Sequence, residues 1–264
     1  MEPLYFVHIS DSHIGPTADY ARHGHLALPC AQKAVQLINQ LPTRPDFVIH
    51  TGDVVTHPSP AAYHLAAETI AGLEVPIYYA VGNHDRAQDI RHFLAMGPKT
   101  DLSHNPELLT YAFEVKGYRF LVVDARGPEP IDPHGIFSEE QLAILGDESR
   151  PEGPPLTVFG HFPLLPMNAP WMDGNMRVLN WMAGHRAMIP AGARLRGYFH
   201  GHILQNMQTS RDGLLYVSVA SLFAQFMAWP ADNDVRSDGQ HPPGYNFVHL
   251  LPEQTIIHQH TFTR

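Results

Sequence analysis

The stretch that decides the fold is LYFVHISDSH, residues 4–13. Leu4–Ser10 is a short apolar run with β-branched and aromatic residues, which reads as a core strand, and it ends in Asp11-Ser12-His13. In extended chain, residues two apart point the same way. A carboxylate and an imidazole can therefore address one point. Alone the pair is weak, because Asp-x-His arises often by chance. Here the arrangement recurs. The expected strand Asp46–His50 runs into Gly52-Asp53, and Val75–Val81 into Gly82-Asn83-His84-Asp85. Leu156–Gly160 runs into His161, and Leu195–His200 into His200-Gly201-His202. A single strand-end Asp or His is ordinary turn chemistry. Five polar clusters on apolar strands, all with metal-ligating side chains, are costly to bury unless something binds there. The donor set is imidazole, carboxylate and one amide, without thiolate, which suits Zn, Mn or Fe and not a structural zinc finger.

Between these strands the apolar period is helical. Helices are expected over Ala27–Leu41, Pro60–Leu73 and Arg86–Met96. Thr110–Val115 and Tyr118–Asp124 flank Lys116-Gly117 as a hairpin. Ser138–Leu145 opens on Ser138 with Gln141 three residues on, a capping-box pattern, and Met176–Ile189 is expected to be one helix. The last quarter is mostly strand: Asn206–Ser210 with Leu214–Val219, then Gly244–Leu251 with Thr255–Phe262. Trp229–Pro243, rich in Pro, Asp and Gly, is expected to be a long surface loop. The order strand–helix–strand–helix–strand, then further strands, favours an α/β sandwich with helices outside. In such folds ligands gather at the carboxyl ends of strands. No repeat or linker divides the chain, so 1–264 is read as one domain, with 222–243 a surface loop or a cap or interface insertion.

Composition narrows the classes. The chain has 264 residues, 44% of them apolar, enough for one large core. No run approaches the roughly 18–20 apolar residues of a membrane span, and no membrane partner is expected. The first residues read as a strand, so no export signal is expected. Cys30 is the only cysteine, which fits a reducing cytoplasm. A net charge of −9 argues against a general nucleic-acid binder or nuclease, though bound metal can supply positive charge locally.

In motif order the chain resembles the calcineurin-like metallophosphoesterase superfamily: D-x-H, GD, GNH-D/E, GH and GH-x-H. These read here as Asp11/His13, Gly52-Asp53, Gly82-Asn83-His84-Asp85, Gly160-His161 and His200-Gly201-His202, with Phe199 in place of the last motif's glycine. The resemblance implies a four-layer αββα sandwich, two mixed β-sheets flanked by helices. It implies two metal ions (Mn²⁺, Fe²⁺/Fe³⁺ or Zn²⁺), one on Asp11, His13, Asp53 and His202, the other on Asp53, Asn83, His161 and His200. A bridging hydroxide would attack phosphorus in line with the leaving oxygen, His84 would donate a proton to it, and Asp85 would orient His84. Phe137–Leu142, Met172-Asp173 and Pro243-Gly244-Tyr245 make the chain most similar to bacterial class III cyclic-nucleotide phosphodiesterases and glycerophosphodiesterases. That implies a small phosphodiester substrate and a homodimer or larger assembly. A phosphomonoesterase or nucleotide pyrophosphatase would use the same centre. A non-catalytic interaction scaffold is disfavoured by the retained motifs.

Other polar residues have plainer readings. His8 and His50, inside apolar strands, are expected in the core. His258 and His260 share a solvated strand face, and His23, His25 and His57 lie in open loops. Trp171 could line a substrate pocket. Cys30 falls on a helical apolar stripe and is read as buried and inert.

Overall fold

The computed structural model describes residues 1–264. The chain begins with β1 (Leu4–Ile9), the short pair β2 (Ala21–Arg22) and β3 (His25–Leu26), then α1 (Ala27–Asn39). It continues through β4 (Phe47–His50), α2 (Pro60–Ile70), β5 (Ile77–Tyr79), α3 (Ala87–Phe93), β6 (Thr100–Asp101), β7 (Tyr111–Val115) and β8 (Tyr118–Val122). Next come α4 (Glu139–Glu148), β9 (Leu156–Phe159), α5 (Pro170–Asn175), α6 (Trp181–Met188) and β10 (Leu195–His200). The chain closes with β11 (Gln208–Arg211), β12 (Leu214–Ser218), β13 (Gln225–Phe226), β14 (Ser237–Asp238), β15 (Gly244–Leu251) and β16 (Gln254–Thr261).

The strands form two mixed sheets. One has the order β16-β15-β1-β4-β5, the other β11-β12-β10-β9-β8-β7-β6. β1, β4 and β5 are parallel, as are β8, β9, β10 and β12. An aromatic layer joins the sheets. Phe6 stacks on Phe47 at 5.2 Å within its own sheet and meets Phe120, Phe159 and Phe199 of the other edge-on. Such pairs add about 0.5–1.5 kcal/mol each beyond area burial. α1 turns Ala31, Ala34, Val35 and Ile38 inward, one helical stripe. Leu145 of α4 and Met188 of α6 join Leu156, Val158, Tyr198 and Tyr216 in a second apolar cluster on the seven-stranded sheet. The expected mixed α/β sandwich with outer helices is the fold found. No helix is long and apolar enough to cross a membrane.

Local chemistry explains several boundaries. Ser59 caps α2, accepting from the Ala62 amide at 3.3 Å, and Pro60 follows at the first helical position. The capping box of α4 is present: Ser138 accepts from the Gln141 amide, and the Gln141 side chain accepts from the Ser138 amide. Other expectations need correction. Met176–Ile189 is not one helix, since α5 stops at Asn175 and α6 starts at Trp181. In between, the Val178 amide donates to Pro163 O at 3.1 Å and that of Leu179 to Gly135 O at 2.8 Å, so tertiary partners hold this stretch extended. The helix expected to reach Met96 stops at Phe93, because Leu94 is extended. Within the expected loop 229–243, β14 pairs with β13.

Candidate metal centre

The carboxyl ends of the parallel strands carry the polar clusters, and backbone bonds draw their loops together. The Asp11 amide donates to Gly52 O and that of His13 to Asp53 O, each at 3.0 Å, zipping the loop after β1 to the loop after β4. In the other sheet the Gly201 amide donates to His161 O at 3.0 Å. Across the sheets the His202 amide donates to Asp11 Oδ2 at 3.0 Å, and His161 Nδ1 to Thr51 O at 2.7 Å. Asp11, His13, Asp53 and His202 all sit at left-handed φ, between 43° and 70°. Four non-glycine residues in that region cost on the order of 1–3 kcal/mol each. Their convergence marks a site where backbone strain is held by the surroundings.

Two donor groups result, and Asp53 belongs to both. His13, Asp53 and His84 form one; Asp53, His161 and His202 form the other. In the second, His161 Nε2 lies 3.4 Å from Asp53 Oδ2, 3.3 Å from Asn83 Oδ1 and 3.0 Å from His202 Nδ1. The edge of a tetrahedron with bonds of ~2.0–2.2 Å is roughly 3.3–3.6 Å, so His161 stands at ligand spacing from Asp53 and Asn83 and slightly closer to His202. In the first, His13 Nε2 lies 3.5 Å from Asp53 Oδ2 and 3.9 Å from Asp11 Oδ1. Asp11 Oδ1 is buried and accepts no hydrogen bond, as a carboxylate oxygen awaiting a cation would be.

The electrostatics agree. Burial raises the Asp11 pKa to about 7, helped by the Asp53 charge and opposed by His161. Burial works against a charged His161, yet Asp53 and Asp11 raise its pKa to about 9. Asp53 is also burdened by burial, but His161, His84 and His13 hold its pKa well below the usual range. A proton on His161 thus supplies some of the positive charge that the buried carboxylates call for.

The structure departs from the expected ligand set at the last motif. His200 ends β10 outside both donor groups, its Nδ1 3.1 Å from Gly201 O and its pKa lowered to about 4 by burial. His202 joins His161 and not the His13 side. The physical reason lies at Gly201, where a Cβ would run into the Ser10 and Asp11 side chains. Gly201 is thus the close-packed glycine of this loop, followed by His202 and, two residues on, Leu204. Leu204 is buried, has φ 48°, and lines the same cavity as His13, Asp53 and His202.

Asp85 also differs from expectation. It does not orient His84. Its carboxylate accepts from the amides of Val54, Val55 and Gly82 at 3.1–3.3 Å, joining the loops after β4 and β5. His84 is positioned otherwise: its amide donates to Asp53 Oδ1 at 2.9 Å, and Nδ1 to Thr56 O at 2.7 Å. A carbonyl can only accept, so Nε2 carries the lone pair, and it receives Arg22 Nη2 at 3.2 Å. Arg22 comes from the small β2–β3 pair and has no sequence motif.

The centre opens on two cavities. One, of about 510 Å³, has Arg22, Trp171, Met176, Phe226 and Val235 in its wall. The other, of about 350 Å³, shares Asn83, His84 and Asp132 with it and is lined mainly by polar residues, among them His57, Arg86, Arg126, Glu129 and His134. Trp171 donates its indole N–H to Met227 O and packs edge-on against Phe226. His8 and His50 are core residues, bonded to Thr51 Oγ1 and Ser12 Oγ, each at 2.9 Å. Cys30 is buried, and His258 is exposed.

Comparison with known proteins converges on one group. The family model described as calcineurin-like phosphoesterase matches residues 4–206. A cAMP/cGMP dual specificity phosphodiesterase of Mycobacterium tuberculosis is 27% identical, over 96% of this chain and 77% of that one. The glycerophosphodiester phosphodiesterase GpdQ of Enterobacter lignolyticus is also 27% identical, over 98% and 91%. A probable cyclic nucleotide phosphodiesterase of Psychrobacter is 25% identical, and the chain spans only 62% of its length. Among solved structures, a dimetal phosphatase from Danio rerio superposes with a TM-score of 0.64 at 16% identity, over 98% of this chain and 99% of that one.

Proposed function

The chain belongs to the calcineurin-like phosphoesterase family, a family of phosphoric ester hydrolases, and from that premise we propose that it hydrolyses a small phosphodiester at a metal centre. The proposed ligands are Asp11, His13, Asp53, Asn83, His161 and His202. The observation that carries this reading is the pair of donor groups sharing Asp53. Metal ions bound there would supply Lewis-acid charge and a water of lowered pKa.

The chain's own residues do the rest. Arg22, with its guanidinium at the mouth of the centre, binds a non-bridging phosphate oxygen. His84, once Arg22 turns to the phosphate, is free to carry a proton at Nε2 for the leaving oxygen. A diester needs room for two organic substituents on phosphorus, and two cavities share Asn83, His84 and Asp132 in their walls. A monoester uses only one. The apolar wall of Trp171, Phe226 and Met176 suits the larger organic group. The relatives' names, cyclic-nucleotide and glycerophosphodiester phosphodiesterase, support diesters of that size.

A second reading has its own support. Arg86 and Arg126 in the polar cavity favour a substrate with an additional anionic group, as in a nucleotide pyrophosphatase. The test is to reconstitute the protein with Mn²⁺ and compare bis(p-nitrophenyl) phosphate with p-nitrophenyl phosphate, followed by cyclic nucleotides, glycerophosphodiesters and nucleoside diphosphate esters. A strong preference for the monoester would sink the proposal.

A further inference from the structure

We infer that the two metal positions of this chain are unequal: the one at His161 and His202 retains its ion, and the one at Asp11 and His13 holds its ion weakly. The inference rests on the ligand reading proposed above and goes further, to how the centre is loaded. Its basis is Leu204. With Gly201 pinned against Ser10 and Asp11, the residue two after His202 is the one the GH-x-H pattern would supply as a histidine, and leucine has no donor atom. The backbone there is nevertheless shaped for one. Leu204 sits at φ 48°, a region where bulky apolar residues are outliers and His is enriched.

The resulting count of donors is asymmetric. Asp53, Asn83, His161 and His202 give the first position four protein donors, with His161 Nε2 3.0–3.4 Å from the other three. The second position is left with Asp11, His13 and the shared Asp53. His84 is the nearest imidazole that could replace the missing donor. Its Nδ1 is committed to Thr56 O, and its Nε2 to Arg22. Arg22 also brings a fixed positive charge to this side, which opposes a second cation at close range. The weak position thus lacks a donor and faces the fixed charge of Arg22, whereas the strong one keeps its full set of side-chain donors.

The test reads metal content, not turnover. Protein loaded with excess Mn²⁺ and then desalted is analysed for bound manganese, and Mn²⁺ electron paramagnetic resonance distinguishes isolated from spin-coupled ions. The expected result is one ion per chain in the unmodified protein and a retained, coupled pair in Leu204→His. Two further variants carry the test if Leu204→His does not fold: Asp11→Asn should keep the single retained ion, and His202→Ala should lose it. Two retained ions in the unmodified protein, or loss of the retained ion in Asp11→Asn but not in His202→Ala, would overturn the inference. A folded Leu204→His variant that still keeps one ion would overturn it as well. Retention of none would overturn the ligand set itself, even if bis(p-nitrophenyl) phosphate were still hydrolysed.

Discussion

Replacing Asp85 by alanine separates two accounts of the GNHD motif. If Asp85 served to orient His84, its loss would leave the fold intact and slow only turnover. The structure gives it another task. Its carboxylate accepts from Val54 N at 3.1 Å, Val55 N at 3.3 Å and Gly82 N at 3.1 Å, and it is fully buried. Hydrogen bonds to a charged group contribute about 1.5–3 kcal/mol each, and a buried amide left unpaired costs about 1–3 kcal/mol. Three such donors would make the gross loss large. Part is offset, because burial and the Asp53 charge already oppose this carboxylate and raise its pKa to about 6. A net destabilisation of about 3–5 kcal/mol follows, comparable to stranding one partner of a buried charged contact. For a chain of this size that lowers the melting temperature by roughly 6–20 °C. The same change frees the loop that carries Asp53 from the loop that carries Asn83, so both stability and retained metal should fall together. Calorimetry and metal analysis on the metal-free and Mn²⁺-loaded variant give both quantities. An Asp85→Ala protein that melts normally, keeps its metal and yet loses turnover would refute the stapling account and restore the orienting one.

Three further outcomes are expected. His84→Ala should lower turnover on bis(p-nitrophenyl) phosphate by roughly 10²–10⁴ with metal content unchanged; near-normal turnover removes the proton-donor role. Arg22→Ala should reduce kcat/KM by roughly tenfold to a hundredfold, the worth of one charge-assisted bond to phosphate. Since Arg22 is half-buried on a two-residue strand and its side chain contacts His84, melting should change little, and an unaltered kcat/KM would count against phosphate contact. Metal uptake should release protons. Burial opposes charge on His161, but Asp53 and Asp11 raise its pKa to about 9 in the metal-free site, and an ion must displace that proton. Low pH therefore favours the protonated, metal-free form, and apparent Mn²⁺ affinity should climb by about tenfold per pH unit below pH 9. Titration calorimetry at pH 7 in buffers of different ionisation enthalpy counts the protons; none released would contradict the assignment.

The fold was legible where local pattern and tertiary role coincide. β1, β4 and β9 are short apolar runs cut off by Asp, Gly-Asp or Gly-His, and they sit where those runs predict because each is buried on both faces. The helix expected over 176–189 was misread because its apolar residues carry a helical period, whereas the bonds that decide its shape come from Pro163 and Gly135, distant in sequence. The two-residue strands β2, β3, β6, β13 and β14 are too short for any period to show. Arg22 was missed for the same reason. It belongs to no motif and reaches His84 across 62 positions, so nothing in the local sequence separates it from a solvated arginine.

The last motif shows where motif reading fails on physical grounds. Phe199-His200-Gly201-His202-Ile203-Leu204 offers two imidazoles two residues apart, and spacing alone accepts them as the GH-x-H pair. Side-chain alternation cannot decide, because a shift of two residues restores the same face. Glycine decides, through volume. A side chain at 201 would collide with Ser10 and Asp11, so Gly201 must be the close-packed position of the motif and the register moves on by two. His200 then falls back into β10, and Leu204 moves to the ligand position. The sequence therefore held both the departure at Phe199 and its explanation, but a missing glycine one residue before a histidine looks harmless until the atoms facing Gly201 are known. The sandwich holds leucine at 204 as a buried apolar residue, while the proposed second metal position lacks the nitrogen donor that a histidine there would supply.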